Sequence, residues 1–161
     1  MAAERARLRV LFLCTGNSCR SQMAEAWARA LRAAEIDAHS AGTHPQGLNP
    51  LAVRAMAEVG IDIAGWASKR PEDLPGPFDV VVTVCDAAHE SCPVWPGGRV
   101  VHRGFDDPPR LARGARSDDE AMPHYRRVRD EIRAFVETLP AGLVVGAQAV
   151  NQGPTGVNYE R

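Results

Sequence analysis

The feature that most constrains this chain is an almost unbroken apolar run, residues 8–13 (LRVLFL), feeding through the loop 14–20 (CTGNSCR) into a helical pattern. Such a run reads as a strand buried on both faces, the kind found in parallel sheets. Beyond the loop, Met23, Trp27, Ala30, Leu31 and Ala34 recur at helical spacing and predict a helix over about 18–35. The alternation then continues. Residues 36–40 predict a second strand, and 42–50, with two Gly and two Pro, a loop. Asn49 is placed to cap a helix whose first turn holds Pro50. Its apolar face is Leu51, Val53, Met56 and Val59, and Gly60 ends it. Residues 71–77 carry three Pro and form a connection, and 78–84 (FDVVVTV) give the strongest strand signal in the chain. Residues 99–102 are a weaker strand candidate, and 105–116 a Pro- and Arg-rich loop. Over 118–139 a long amphipathic helix presents Met122, Tyr125, Val128, Ile132, Phe135, Val136 and Leu139, and Pro140 stops it.

This alternation predicts an α/β three-layer sandwich: a small, about four-stranded parallel sheet flanked by helices, with right-handed crossovers. Residues 1–140 are expected to form a single catalytic α/β domain. Residues 141–161 are expected to be a C-terminal extension, mobile at its end.

Charge narrows the function classes. The chain has 161 residues, 19 Lys+Arg against 20 Asp+Glu, and a formal net charge of −1. That balance gives no general attraction to nucleic acid or to an anionic membrane. No apolar run approaches the ~18–20 residues of a membrane-spanning helix, and no secretory signal pattern is legible. The expectation is a cytoplasmic protein whose four cysteines, Cys14, Cys19, Cys85 and Cys92, are thiols at rest. An even count in a reducing compartment points to metal or redox chemistry before structural disulfides.

Cys14-x5-Arg20 sits where a strand ends and a helix begins. Ligands of open α/β sheets bind at that edge, and a helix N-terminus offers free N–H groups to an anion. Gly16 lets the loop bend, and Arg20 presents a planar fork to a tetrahedral oxyanion. Thr15, Gly16, Asn17, Ser18, Cys19 and Arg20 are therefore the candidate oxyanion-binding residues. In such a setting Cys14 is expected to have its pKa lowered into roughly the 3.5–7.5 range, with Ser21 donating a hydrogen bond to the thiolate. A buried small hydrophobe at a strand end is the plain alternative for Cys14.

The loop and the first helical turns after it, 14–25 (CTGNSCRSQMAE), resemble the signature of arsenate reductases built on the low-molecular-weight tyrosine phosphatase fold. The resemblance continues through Ser40-Ala41-Gly42, Asn49-Pro50, Val82-Thr83-Val84-Cys85, Cys92-Pro93 and Gly104-Phe105-Asp106-Asp107-Pro108. It closes with Arg127-Val128-Arg129-Asp130-Glu131-Ile132 and covers the chain to about Leu139. It implies a low-molecular-weight tyrosine phosphatase-like fold and a catalytic set of Cys14, Ser21, Arg20, Cys85, Cys92 and Asp107.

The implied chemistry is a relay. Cys14 attacks arsenate held by Arg20 and the loop amides. Cys85 then attacks Cys14 and releases arsenite. Cys92 moves the disulfide to Cys85–Cys92, which thioredoxin reduces with electrons from NADPH through thioredoxin reductase. Asp107 resembles a general acid that protonates the leaving oxygen; as part of Asp-Pro it also reads as a turn residue. Asp106 is a second candidate. Asn17 and Ser40 resemble residues that shape the loop by hydrogen bonds. Some relatives bind potassium behind the loop with equivalents of Asn17, Glu25 and Ser40. Here the loop after the second helix offers Ala67 and Lys69, the only Lys of the chain. The Lys69 ammonium is expected to take the cation's place beside Glu25; a solvated surface Lys is the alternative.

Other readings stay open at this point. Cys85-x3-His89-x2-Cys92, with His124 or Cys14, offers soft ligands to zinc, although the spacing fits no common zinc pattern. No metal and no bound cofactor are expected. A phosphotyrosine phosphatase would use the same loop and Asp107, so weak phosphatase activity is expected in any case. Pro109-Arg110 after the Asp-Pro, and the Cys85/Cys92 pair, speak against a dedicated one. A thiol-based sensor lacks its basic DNA-binding face here. A reductase resolved by glutathione or mycothiol would not need the second Cys pair. The expected ligands are arsenate, with phosphate or sulfate as analogues, and thioredoxin. The protein is expected to be a monomer.

Overall fold

A computed structural model describes residues 7–85 and 99–143. Strand β1 (Leu8–Cys14) is flanked in space by β2 (Ile36–Gly42) and β3 (Val80–Thr83), and β4 (Arg99–His102) closes the far edge. The order is β2-β1-β3-β4, with every pairing parallel. This is the expected α/β architecture. Val10, Leu11, Phe12 and Leu13 are all fully buried. Successive strand side chains point to opposite faces, so both faces of the sheet are covered at β1. The apolar run was legible for that reason.

Helix α1 (Arg20–Leu31) returns the chain from β1 to β2. It is shorter than the 18–35 expected. Arg32 leaves helical geometry, and its carbonyl accepts the N–H of Ile36 at 2.8 Å, turning the chain into β2. Ala30 and Ala34 are consequently exposed. Ser21 to Ala28 are instead buried on every side, polar Ser21, Gln22 and Glu25 included.

Helix α2 (Pro50–Glu58) starts as expected, with the Asn49 side chain accepting the Leu51 N–H at 2.8 Å. Its fully buried residues are Ala52, Ala55 and Met56, whereas Leu51, Val53 and Val59 are only partly covered. Small residues face inward because α2 lies close against the last helix. Gly60 ends it at φ +84°, a left-handed conformation that favours glycine.

Residues 105–116 are not wholly loop. Asp107 stands at the N-cap position of the single-turn helix α3 (Pro108–Leu111), whose first positions hold proline with φ already set. Helix α4 (Asp118–Glu137) begins one residue after Ser117, whose hydroxyl accepts the Glu120 N–H at 3.2 Å. Three acidic residues in its first turn complement the helix dipole. Its inward face is Met122, Tyr125, Val128, Ile132 and Val136, as expected, with Phe135 half-covered. It ends at Glu137, two residues before expectation, and Leu139 is buried beyond it. Arg129, on the same face, is also buried. The indole N–H of Trp27 donates to the Arg129 carbonyl at 3.1 Å and ties α1 to α4.

Leu143, inside the segment expected to be an extension, is fully buried. The expected mobile end, 151–161, lies outside the described residues. No helix among the described residues is long and apolar enough to cross a membrane.

Candidate active site

Parallel order puts the carboxyl ends of all four strands on one edge, and the loops leaving them line one cavity of about 480 Å³. Its wall includes Cys14, Thr15, Gly16, Ser18, Cys19 and Arg20 from the β1–α1 loop. Cys85 comes from the end of β3, and Asp106, Asp107 and Arg110 from the segment after β4. Sequence reasoning proposed most of these residues separately; parallel topology is what gathers them.

Cys14 is the last residue of β1 and is buried. The chain bends around its sulfur. Asn17 adopts φ +48°, which asparagine tolerates better than most residues, and its N–H donates to Cys14 Sγ at 3.2 Å. Cys19 at the α1 N-cap offers no side-chain cap, and the first turn holds no acid. The amides there are open to an anion. Gly42 has to be glycine: a Cβ would lie 2.6 Å from the Thr15 carbonyl oxygen and 2.7 Å from the Asn17 nitrogen.

The side chain of Asn17 organises the ground behind the loop. Its Oδ1 accepts from Lys69 N at 2.8 Å and Gln22 Nε2 at 3.0 Å, which fixes the amide's orientation. Its Nδ2 therefore faces two hydroxyls, Ser21 Oγ at 2.8 Å and Ser40 Oγ at 3.0 Å. An amide nitrogen only donates, so each hydroxyl accepts there and keeps its own proton for another partner. Ser40 donates to Glu25 Oε1 at 2.6 Å, and Ser21 donates to Cys14 Sγ at 2.9 Å. Asn17 thus aims the Ser21 proton at the sulfur.

Gln22 and Ser68, given no role from sequence, hold the same loop. Gln22 Nε2 donates to the Asn17 and Ala67 carbonyls at 3.0 Å each, and Ser68 Oγ to the Asn17 carbonyl at 2.7 Å. The signal for Gln22 was its place in a fully buried first turn, which helical periodicity alone does not show. Ser68 left no signal.

The expectation of a Cys14 pKa below the usual thiol range is not met. Burial pushes the Cys14 thiol up, and the Cys85 sulfur adds to that. The Ser21 hydroxyl, the Ser21 N–H and Arg20 oppose it. Arg20 is engaged elsewhere: its Nη1 donates to the Phe105 carbonyl at 2.9 Å, and its Nη2 lies 3.4 Å from Asp107 Oδ1. Sequence reasoning counted the groups that stabilise a thiolate and missed the cost of burying it. Burial also pushes the Cys19 thiol, on the same wall, well above its ordinary range.

Cys85 reaches the site. Its sulfur lies 3.4 Å from Thr15 Oγ1, and it lines the same cavity as Cys14. Cys14, Cys19 and Cys85 form no disulfide with one another. Cys92 and His89 lie outside the described residues, and with them most of the zinc alternative; His124 is on α4, away from the cavity lining. Among the described residues no cluster of His, Cys, Asp or Glu is arranged to hold a metal.

Behind the loop, Lys69 Nζ donates to the Ala67 carbonyl at 3.0 Å and lies 4.0 Å from Glu25 Oε1. Burial pushes its ammonium pKa down while Glu25 opposes the shift. Glu25 Oε2 is held by Arg29 Nε at 2.7 Å.

A buried thiol at a strand–helix junction accepts N–H groups from Asn17 and Ser21, and a paired arginine and aspartate share its cavity. The model of the low molecular weight phosphotyrosine protein phosphatase family matches residues 9–148, and the chain belongs to that family. A relative named arsenate reductase, from Halalkalibacterium halodurans, is 47% identical over 131 residues, 80% of this chain and 92% of the relative. Among solved structures, an arsenate reductase in the phosphate binding state matches with a TM-score of 0.68 at 34% identity, covering 83% of this chain and 97% of that one. A thioredoxin-dependent arsenate reductase from Corynebacterium glutamicum matches with a TM-score of 0.63, covering 89% of this chain and 65% of that one. At 22% identity this last is a likeness of fold alone.

Proposed function

We propose that this protein reduces arsenate to arsenite through Cys14, Cys85 and Cys92. The observation that carries the reading is a second thiol, Cys85, on the wall of the oxyanion loop beside Thr15. Hydrolysis of a phosphate ester has no use for it. The names of the relatives agree.

The loop amides and Arg20 hold the oxyanion, which exchanges Arg20 away from Asp107. Cys14 sulfur bonds to arsenic, its proton passes to an arsenate oxygen, and that oxygen leaves as water with Asp107 as proton donor. The Cys85 sulfur then attacks Cys14. The S–As bond breaks, its electron pair stays on arsenic as arsenite, and two thiols have become one disulfide. Cys92 exchanges into that disulfide and frees Cys14. Thioredoxin reduces the Cys85–Cys92 pair, drawing on NADPH through thioredoxin reductase. Phosphate and sulfate are analogues for the same loop, and weak phosphatase activity follows from it. The protein works as a cytoplasmic monomer without bound metal, and Lys69 stands in for a potassium ion.

Arsenate-dependent NADPH oxidation, coupled through thioredoxin and thioredoxin reductase, tests the relay. Wild type is expected to turn over repeatedly and Cys92→Ser to stop after about one turnover. No arsenate-dependent turnover, with strong hydrolysis of an aryl phosphate by the same preparation, would replace this reading with the phosphatase one.

A further inference from the structure

The charges on the cavity wall sum to zero, but they are unevenly paired. Four charged residues line it: Arg20, Asp106, Asp107 and Arg110. Asp107 pairs with Arg20 at 3.4 Å. Asp106 pairs outside the cavity with Arg127 Nη2 at 3.0 Å, and Arg127 is shared with Glu131 at 2.7 Å. Arg110 has no carboxylate or carbonyl partner for its side chain among the described residues, and it is exposed. Arg113, one turn further along, is the same, while the Arg116 backbone sits against Glu120, whose Oε1 accepts the Arg116 N–H at 2.8 Å.

Several other arginines are matched to carboxylates. Arg9 meets Asp37, Arg29 meets Glu25, Arg54 meets Asp119, Arg126 meets Glu58, and Arg133 meets Glu137. An unmatched arginine on the wall of an oxyanion cavity, carried by the same one-turn helix whose N-cap is Asp107, is a placed charge. A wall cation with no carboxylate of its own attracts anions, and the effect weakens with salt.

We infer that Arg110, supported by Arg113, is a specificity-determining residue: a steering cation that favours entry of oxyanions and gives no hold to a neutral product. The inference rests on the oxyanion reading of the Cys14 loop. At neutral pH arsenate is anionic and arsenite, a weak acid, is uncharged. The same residue draws the substrate in and lets the product go. It acts through its charge at a distance, not through a hydrogen bond to the reacting atoms.

The test compares wild type with Arg110→Gln, Arg110→Lys and Arg110→Glu. Arg99→Gln serves as a control: it makes the same charge change at the start of β4, the opposite end of the sheet from the cavity. The first readout is protection of Cys14 from iodoacetamide by inorganic phosphate; the second is kcat/KM for arsenate. Both are taken at about 20 mM and about 500 mM salt. At low salt Arg110→Gln is expected to weaken phosphate protection and kcat/KM about three- to tenfold, Arg110→Glu more, and Arg110→Lys less than twofold. At high salt the differences are expected to shrink below about twofold. Losses that persist at high salt, that Lys does not rescue, or that Arg99→Gln reproduces would overturn the inference. Arg110-dependent phosphate protection without arsenate turnover would support it while overturning the reductase reading. A wild type that phosphate does not protect would overturn both.

Discussion

Cys14 is poised between opposing forces, and Ser21 is the residue that balances them. Its hydroxyl reaches the sulfur only because Asn17 occupies its acceptor side. Ser21→Ala removes a donor to the anionic form and leaves the burial, so the Cys14 pKa rises further. The pH profile of iodoacetamide alkylation is expected to move to higher pH, with a rate at pH 7 about tenfold lower for a shift of about one unit. Lys69 gives a second prediction at this scale. With its ammonium 4.0 Å from Glu25, turnover is expected to be equal in sodium and potassium salts. In Lys69→Ala, potassium is expected to stimulate. Clear activation of wild type by potassium would remove Lys69 from that role. Both the cysteine and the lysine were legible as residue types in a motif; the direction of the Cys14 shift was not, because burial is not written in a motif.

At the scale of elements, the β1–α1 loop depends on β2. Gly42 pairs with Cys14 across the sheet, and its N–H donates to the Lys69 carbonyl at 2.7 Å. Any Cβ there meets the backbone of the loop at Thr15 and Asn17, which a side chain cannot yield by rotating. Gly42→Ala is expected to cost about 1–3 kcal/mol of stability and to weaken phosphate binding at least tenfold. Denaturant unfolding and phosphate protection of Cys14 measure the two effects. A variant with unchanged phosphate affinity would show that the loop's shape is set without β2. The strands within 8–13 and 78–84 could be read from their apolar runs, 36–40 and 99–102 more weakly, and Asn49 and Gly60 from their capping chemistry. Helix α3 was missed, although Asp107 followed by two prolines is a helix start. Ser117 was missed too, although Ser117-x-x-Glu120 is a capping pattern. The C-terminal end of α1 could not be read, because Ala30 and Ala34 fit the helical stripe yet meet nothing.

For the whole molecule, a clamp of ion pairs at Glu58 joins α2 to α4. Glu58 accepts from Arg126 Nε at 2.9 Å and Nη2 at 2.8 Å, and from the buried Arg129 at 3.0 Å. These arginines, Arg126 first, hold the Glu58 pKa down from 4.5 to about 2. A carboxylate with a depressed folded pKa stabilises fully above its unfolded value and loses that contribution as pH falls through the folded one. The difference in urea midpoint between wild type and Glu58→Gln is therefore expected to hold constant from pH 8 to about 5 and to narrow between about 4.5 and 2. A difference independent of pH down to 2 would show that Glu58 acts by packing alone.

What the sequence determined by itself was local and chemical. Runs of apolar residues at the period of strand or helix determined the element types, and a thiol, a glycine and an arginine at a strand–helix junction pointed to the proposed oxyanion loop. Those signals survive because each depends on neighbours along the chain. Only the tertiary structure decided which distant groups share the cavity. Parallel pairing β2-β1-β3-β4 brings Cys85, Asp107 and Arg110 to the edge where Cys14 lies. It also decided that Cys14 is buried deeply enough for desolvation to outweigh its hydrogen bonds. Both are consequences of what surrounds a residue in space, and spacing along the chain does not carry that information.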